Sequence, residues 1–588
     1  MNIVWLRKYI FPAAFVAVII AVVFFSVQRS APAVDTQYRD ASLSVDVRVE
    51  NLLSQMTTNE KIGQLALVEK NSVATTSDIA RYGIGALLSG GGGNPDPNTP
   101  EAWLAMVNDF QDAAHGSRLG IPLLYGVDAV HGHTNVFGAT IFPHAIGLGA
   151  SGDVDLVQRI GEITGQEMAA TGVNWNFSPT VDVVDDTRWG RTYETFGADT
   201  DSVNALSAAY LTGLQSTGVL GTAKHYLGTG AMAWGSSTNP DFQMDQGAIP
   251  IDEATLRAVH LPPFVNAIQA GVGSIMVSHA AWDGVELSAS HYLLTDVLKS
   301  ELGFEGFVVS DWNGVDEISS DKYVAVVTAI NAGVDMVMLP YDYKAFTMNM
   351  KRALYSGAIT GERLDDAVRR ILRAKFSAGL FDAAPVEGEL STVGSSEHRA
   401  VAREAVRKSM VLLKGASTLP VSKNLAHIIV AGSSANNLGR QSGGWTIEWQ
   451  GVDGNWIPGT TILEGIENSV SKNTEVEYSD TGIFSARDDR ADVGIVIVGE
   501  SPYAEGVGDN AHPELTAEDL QTIENVKAIS KKIVVIIVSG RPLDILPYVS
   551  SWDAIIAAWL PGTEGDGVAD VLFGDYPFTG TLPVDWSL

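Results

Sequence analysis

Seven short apolar runs alternate with helical segments between residues 84 and 376, and this alternation restricts the possible folds more than any other feature. The runs cover residues 84–88, 123–127, 173–183, 219–223, 274–278, 306–310 and 334–339. Segments with helical periodicity lie between them, at residues 102–115, 154–170, 203–215, 253–270 and 293–301. Strands that alternate with helices in this way are typical of a parallel sheet. At this length we expect an α/β fold closed into a (β/α)8-type TIM barrel, although no eighth strand can be assigned.

A capping-box pattern marks the first helix of this region. Thr57 and Glu60 have the spacing at which two side chains satisfy the free N–H groups of a helix start. Ile62, Leu65 and Leu67 then supply the apolar stripe of this helix.

A second α/β pattern follows residues 382–394, where proline, glycine and charged residues replace periodic apolar residues. The runs at 427–431, 493–499, 532–539 and 554–559 are almost continuously apolar, as in a sheet that is covered on both faces. We therefore predict a barrel domain over residues 34–381, a linker over 382–394 and an α/β sandwich domain over 395–588.

The N-terminus has the pattern of a targeting segment. Arg7 and Lys8 precede an apolar run over residues 9–27, which would be about 28 Å long as a helix, close to the thickness of a bilayer core. The charge order predicts that the rest of the chain is exported. Ala31-Pro32-Ala33 resembles a signal-peptide cleavage site, whereas the length of the run favours an uncleaved anchor. Residues 1–33 are thus a signal peptide or a membrane anchor, and we expect a periplasmic protein or one held on the outer face of the cytoplasmic membrane.

Composition restricts the partners. The 588 residues carry a formal net charge of −31, a field that repels nucleic acid and anionic lipid and favours a neutral or cationic ligand. We expect no nucleic-acid partner, and membrane contact only through the N-terminal segment. The chain contains no cysteine, which excludes disulfides, thiolate catalysis and cysteine-ligated metals.

Polar and aromatic side chains follow the apolar runs of the first domain, where the carboxyl ends of barrel strands place active sites. They are Asp128, Arg191, Lys224, His225, His279, Asp311 and Trp312. Alone, Asp311 has the character of a helix N-cap. The whole set has two interpretations, either solvated loop residues or a converging polar site, and the scarcity of unpaired buried charges favours the site.

The second domain adds two groups of candidates. Glu500 and Glu505 lie in one loop directly after the run at 493–499, where either could also be an ordinary exposed residue. Trp445 and Trp449 lie in a glycine-rich loop. Such indoles make good sugar-stacking surfaces, and the other interpretation is that they cover the domain interface.

Together these motifs resemble glycoside hydrolase family 3, in its branch of two-domain exo-β-glucanases and β-glucosidases. The matching segments lie at residues 125–132, 188–194, 224–226, 309–312, 443–449, 500–505 and 560–565, in the order of the family. The chain departs from close relatives at Thr229-Gly230-Ala231-Met232, which follows the Lys-His pair, so the resemblance leaves the preference of the outer subsites open.

The resemblance implies a retaining exo-β-glucosidase or exo-1,3/1,4-β-glucanase that releases glucose from the non-reducing end of β-glucans, without metal or cofactor. Asp311 matches the nucleophile and Glu505 the acid/base. The residues that match groups gripping the terminal glucose are Asp128, Arg191, Lys224 and His225. Trp312 and Trp449 match indoles that hold the next sugar, and His279, Trp445 and Glu500 are further substrate-site candidates. Because Glu500 directly follows the strand, we also predict that it positions the loop while Glu505 acts as the acid/base.

Charge considerations agree with these roles. Lys224 and Arg191 are expected to keep Asp128 and Asp311 ionised, and a partly apolar cleft would raise the pKa of a glutamate that donates a proton. Three alternatives stay open: a β-xylosidase, an N-acetylglucosaminidase and an inactive sugar-binding protein. The Asp-x-His dyad of the N-acetylglucosaminidase branch is missing from residues 228–243, and the presence of both Asp311 and Glu505 disfavours an inactive protein.

Overall fold

Eight parallel strands form a ring in the first domain of the computed structural model, which describes residues 35–382 and 389–587. They are β1 Ala66–Glu69, β2 Ala86–Leu88, β3 Leu124–Val127, β4 Trp175–Asn176, β5 Thr222–Tyr226, β6 Ser274–Val277, β7 Phe307–Val309 and β8 Val337–Leu339. The order β8-β1-β2-β3-β4 makes one sheet and β7-β6-β5 the other. Parallel bridges from Trp175 to Leu220 and from Val309 to Met336 join the two sheets. The predicted barrel is therefore confirmed.

Helices surround this ring and alternate with its strands. They cover Val45–Gln55, Thr58–Gln64, Ser77–Tyr82, Pro100–His115, Ala145–Ser151, Val154–Ala170, Thr200–Gln215, Glu253–Thr255, Leu256–His260, Pro262–Gln269, Tyr292–Glu301, Lys322–Ala332, Tyr343–Ser356 and Gly361–Ser377. The capping box of Thr57 and Glu60 is present, with both reciprocal hydrogen bonds.

The eighth strand, which the sequence pattern left unassigned, is the one that comes first in the chain. The helix that begins at Thr58 ends at Gln64, and Leu67 belongs to β1 instead of to an apolar helix stripe. All four residues of β1 are buried between β8 and β2. A short strand without polar alternation has no period of its own, so a preceding helical pattern extends over it.

Two other strand boundaries differ from the prediction. The run at 173–183 contributes only Trp175–Asn176 to the ring, whereas β5 is shifted towards the C-terminus and includes Lys224 and His225. The register of β5 against β6 changes between Ala223 and Tyr226. Because side chains of a regular strand alternate between faces, such an irregularity re-aims side chains at this point of the barrel.

The second domain is a six-stranded sheet with helices on it, as predicted. Its strands are β9 Val411–Lys414, β10 His427–Ala431, β11 Glu475–Ser479, β12 Val493–Gly499, β13 Ile533–Val538 and β14 Ala554–Trp559. The spatial order is β9-β14-β13-β12-β10-β11, with only β9 antiparallel to its neighbour. Its helices are Ser396–Ser409, Leu438–Ser442, Ile462–Ser469, Ala517–Ile529 and Asp566–Leu572.

The two domains pack through shared apolar side chains. Ile146 and Ala150 lie on the barrel helix Ala145–Ser151 but are buried in the core of the second domain. Ala402 and Ala405, on the helix Ser396–Ser409, are buried in the barrel core instead. This exchange fixes the second sheet against the barrel.

The N-terminal segment predicted to target the chain, residues 1–33, lies outside the described residues, as does part of the predicted linker, at 383–388. Within residues 35–382 and 389–587, no helix has the length and apolar character needed to span a membrane.

Candidate active site

A cavity of about 410 Å³ opens at the carboxyl ends of the barrel strands, and both domains line it. It contains the candidates Asp128, Arg191, Lys224, His225, His279, Asp311, Trp312, Trp445, Trp449 and Glu505. Ten of the eleven residues chosen from the sequence thus converge on one space, and the exception is Glu500. This convergence is what a binding site requires, because pockets of several hundred Å³ with a few convergent polar groups hold small ligands.

Asp311 follows β7 and lies between two imidazoles. His279 Nε2 is 3.7 Å from its Oδ1, and His225 Nε2 is 3.8 Å from its Oδ2. The backbone N–H of Trp312 donates to Asp311 Oδ1 at 2.6 Å. The carboxylate is therefore oriented but not enclosed in a tight ion pair, which leaves an oxygen available to a ligand.

His279 is the cationic neighbour of Asp311. Its Nδ1 lies 3.0 Å from Glu317 Oε2, on the side away from Asp311. Burial opposes protonation, but the carboxylates of Asp311 and Glu317 outweigh it and raise the pKa of His279 to about 10. His279 therefore brings a positive charge to the cavity at neutral pH.

Lys224 and Asp128 form a buried pair at the inner end of the cavity. Lys224 Nζ donates to Asp128 Oδ1 at 2.8 Å, and the lysine side chain is only 3% exposed. Burial raises the pKa of Asp128, and Lys224 and Arg191 oppose this rise. The expected stabilisation of ionised Asp128 by these cations is thus partly cancelled by desolvation.

Asp182 was missed by the sequence analysis and holds His225 in place. Its Oδ2 is 2.8 Å from His225 Nδ1 and also accepts the backbone N–H of His225 at 3.2 Å. Burial raises the pKa of Asp182 to about 7 and lowers the pKa of His225 well below its usual value. A charged residue inside the apolar run at 173–183 was the available signal, because buried carboxylates need a partner.

Arg191 joins the barrel to the loop of the second domain. It donates to both carboxylate oxygens of Glu194, at 3.0 and 2.8 Å, and its Nη1 lies 3.5 Å from Glu505 Oε1. The guanidinium thus faces the cavity between a buried barrel glutamate and the acid/base candidate.

Glu505 begins a 3₁₀ turn, Glu505–Gly508, beyond β12. Its backbone is in the left-handed region, with φ of 55°, a strained geometry common at functional sites. Burial raises the pKa of Glu505, with Asp245, Glu194 and Asp311 adding to the rise and Arg191 opposing it. A carboxyl group that stays protonated above the usual pH suits proton donation.

Glu500 does not line the cavity, which corrects its assignment as a substrate-binding residue. Its Oε1 accepts from Arg541 Nε at 3.0 Å, and its Oε2 accepts from Tyr503 Oη at 2.9 Å and Gly540 N at 3.0 Å. Both oxygens are engaged within the second domain, so Glu500 braces the loop that presents Glu505.

Tryptophans form the outer part of the cavity. The glycine run after β2, residues 90–93, lies between Trp312 and Trp449. A Cβ added at Gly90 would contact the Trp312 ring at 3.3 Å, and one at Gly91 would lie 2.7 Å from Trp449 Cβ. Gly92 N also donates to Ile447 O at 3.0 Å. Glycines are required here because the backbone of one domain touches an indole loop of the other.

Trp445 lies deeper than Trp449. Lys224 Nζ is 5.8 Å from the centroid of the Trp445 ring, within range of a cation–π interaction, whereas Trp449 is 37% exposed. The cavity therefore changes from charged groups inside to aromatic faces outside. Further lining residues that the sequence did not indicate are Asn239, Phe242, Asp245, Gln246 and Tyr341.

A cluster with the spacing of metal ligands lies away from this cavity. Among the described parts of the chain, one group has such spacing, formed by His427, Glu475 and Glu477 in the second domain. None of the three lines the cavity, and Arg487 donates to both glutamates.

Comparisons with known proteins agree with this geometry. The model described as "Glycosyl hydrolase family 3 N terminal domain" matches residues 57–374, and "Glycosyl hydrolase family 3 C-terminal domain" matches residues 410–588. A solved mutant of the exo-1,3/1,4-beta-glucanase ExoP from a Pseudoalteromonas species is 40% identical, with a TM-score of 0.86, over 92% of this chain and 91% of that one.

Two curated relatives extend the comparison. A lysosomal beta glucosidase of Dictyostelium discoideum is 31% identical over 92% of this chain and 72% of its own length. A periplasmic beta-glucosidase of Salmonella typhimurium is 31% identical over 92% of this chain and 74% of its own length.

Proposed function

Because the chain belongs to glycosyl hydrolase family 3, we propose that it is an exo-acting β-glucosidase or exo-1,3/1,4-β-glucanase that removes glucose from the non-reducing end of β-glucans. Membership makes the chain a glycoside hydrolase, and the names of its relatives support glucose as the sugar released. One observation carries the proposal: Asp311 from the barrel and Glu505 from the second domain line a single cavity.

The layout of the cavity supports exo action. Asp128 and Lys224 lie at a buried inner end, where they can bind hydroxyl groups of one terminal sugar. Trp449 stands at the exposed outer end, where an apolar sugar face can stack on it. A chain end can enter this arrangement, and the remaining sugars extend outward past the tryptophans.

The proposed chemistry is a double displacement. Glu505 donates its proton to the glycosidic oxygen while an oxygen of Asp311 attacks the anomeric carbon, so the leaving sugar departs as an alcohol. Glu505, now ionised, then removes a proton from water, which displaces Asp311 and gives glucose with the original β configuration. The raised pKa of Glu505 supplies the protonated acid of the first step.

The surrounding charges support the transition state. Positive charge develops on the sugar ring in an oxocarbenium-like state, and the carboxylates of Asp311 and Asp128 stabilise it. His225 stays neutral beside Asp311, because burial lowers its pKa, and thus adds no opposing charge there. Before the sugar becomes charged, the positive charge of His279 partly compensates the negative charges of Asp311 and Asp128.

Turnover of a panel of substrates tests this function. We expect cleavage of 4-nitrophenyl β-glucoside and release of glucose from laminaribiose and cellobiose, with β-glucose detected first by NMR. Faster turnover of the β-xyloside or the N-acetyl-β-glucosaminide would favour the corresponding alternative. Binding of glucose without any turnover would favour an inactive sugar-binding protein.

We also propose that the chain is exported, held on the outer face of the membrane or released into the periplasm. The support is the charge order of Arg7 and Lys8 before the apolar run at 9–27. N-terminal sequencing of the native protein distinguishes cleavage near Ala33 from an intact anchor. Recovery of the full-length protein from the cytoplasmic fraction would contradict both forms.

A further inference from the structure

Asp509 links the second domain to the barrel through four hydrogen bonds. Its Oδ2 accepts the backbone N–H groups of Gln243 at 3.1 Å, Met244 at 2.7 Å and Asp245 at 2.9 Å. Its Oδ1 accepts the N–H of Gly190 at 2.9 Å. One carboxylate of the second domain thus binds two separate barrel loops.

The same contact is closed by glycines that leave no space for a side chain. A Cβ added at Gly190 would lie 2.0 Å from Glu505 O, and one at Gly506 would lie 2.2 Å from the Phe242 ring. Asp509 is four residues beyond Glu505 in the same loop. The backbone on both sides of the acid/base candidate is therefore pressed directly onto the barrel.

One of the two barrel loops also reaches the cavity. Asp245, whose N–H binds Asp509, lines the cavity, and its Oδ1 accepts from Trp189 Nε1 at 3.0 Å. Phe242 lines the cavity from the same loop. The hydrogen bonds of Asp509 thus set the position of the cavity wall and of the loop that carries Glu505 at once.

We propose that Asp509 is a positioning residue for acid/base catalysis, which holds the Glu505 loop and the 243–245 loop in register across the domain interface. The inference rests on the proposed function, since it assigns Asp509 a part in that reaction. Hydrogen bonds from N–H groups to a carboxylate are stronger than neutral ones. A replacement that accepts fewer of them leaves buried N–H groups unpaired and lets the loop shift.

The test compares Asp509→Asn with wild type on aryl β-glucosides of graded leaving-group pKa. A misplaced general acid affects poor leaving groups most, and a shift of about 1 Å costs on the order of 10²-fold. We therefore expect kcat/KM to fall by about that factor for phenyl β-glucoside and much less for 2,4-dinitrophenyl β-glucoside. Asp509→Glu, which keeps the carboxylate, is expected to recover part of the loss.

Asp492→Asn is the matched control. Asp492 also caps backbone N–H groups, those of Ala426 at 3.0 Å and His427 at 3.1 Å, but within the second domain only. We expect it to lower Tm without any dependence of the activity loss on the leaving group. An equal loss for all leaving groups in Asp509→Asn, or no loss, would overturn the proposal.

Hydrogen exchange separates this inference from the proposed function. Asp509→Asn is expected to speed exchange at the amides of Gly190, Met244 and Asp245, whatever the substrate. If Asp509→Asn speeds exchange but the wild type cleaves no β-glucoside, the role of Asp509 in the domain contact is supported and the proposed reaction is refuted. Unchanged exchange in an active enzyme would refute the positioning role alone.

Discussion

Arg541 donates its Nε to Glu500 Oε1 at 3.0 Å, and its Nη2 donates to Gly508 O in the turn that begins at Glu505. The arginine side chain is only 2% exposed. One buried cation therefore binds the first glutamate of the loop and supports the second. This arrangement assigns different tasks to two glutamates that lie five residues apart.

Glu505→Ala is expected to lower kcat/KM by more than about 10²-fold for phenyl β-glucoside, and far less for substrates with activated leaving groups that need no protonation. Azide should restore turnover because it attacks the glycosyl-enzyme in place of water without needing a general base, so that Asp311 leaves and the product is β-glucosyl azide. Steady-state kinetics and mass spectrometry measure both effects.

Glu500→Ala is the companion variant. It leaves a buried guanidinium without its partner, so we expect a loss of roughly 3–5 kcal/mol in the free energy of unfolding and no rescue by azide. If azide rescues Glu500→Ala and not Glu505→Ala, the two roles have to be exchanged.

Asp311→Asn is expected to fold normally and to lose at least about 10³-fold in kcat, because an amide does not form the glycosyl-enzyme bond. A 2-deoxy-2-fluoroglucoside should label Asp311 of the wild type, which peptide mass spectrometry locates. Asp296→Asn, at a barrel side chain that is 57% exposed, serves as control and should keep full activity. Label on another residue would refute the assignment.

Asp245→Asn is expected to move the alkaline limb of the kcat/KM profile to lower pH. Burial raises the pKa of Glu505, and the negative charges of Asp245, Glu194 and Asp311 raise it further, whereas Arg191 lowers it. Removal of the Asp245 charge lowers the pKa of Glu505, so the general acid loses its proton at lower pH. Asp241→Asn, at an exposed site in the same loop, should leave the limb in place. A shift to higher pH would contradict the assigned electrostatics.

Trp449→Ala is expected to raise KM for cellobiose and laminaribiose by about 2- to 10-fold, which corresponds to roughly 0.5–1.5 kcal/mol of aromatic contact. Methyl β-glucoside, which places no second sugar against the indole, should be affected little. Trp456→Ala is the control, since Trp456 lies in the same region but does not line the cavity. Equal effects on all three substrates would remove Trp449 from the outer subsite.

Buried strands were the most predictable part of the fold. The runs at 427–431, 493–499 and 554–559 became β10, β12 and β14 with the same bounds, because apolar residues between polar turns define a covered strand. β1 was not predictable in this way. It begins two residues after a helix ends, and its apolar residues fit either structure.

Residues at strand ends were predictable as site candidates, because a barrel directs every such end to one face. Residues that act through a distant partner were not. Asp509 and Arg541 lie in ordinary loop sequence, and only the packing of two domains shows that they bind barrel backbone at Gly190 and Arg188. Likewise, the need for glycine at 90–93 is explained only by the packing of the Trp449 loop against this run.

Because both domains line the cavity, turnover reports whether the two domains are packed correctly against each other. Asp311 and Glu505 belong to different domains, so a small shift at the interface is expected to disrupt the proposed reaction before the strands of either core unfold. Interfaces between domains are commonly weaker than the cores they join. In a urea titration, activity should therefore disappear before the far-UV circular dichroism changes, and β-glucosidase assays would overstate how readily this protein unfolds.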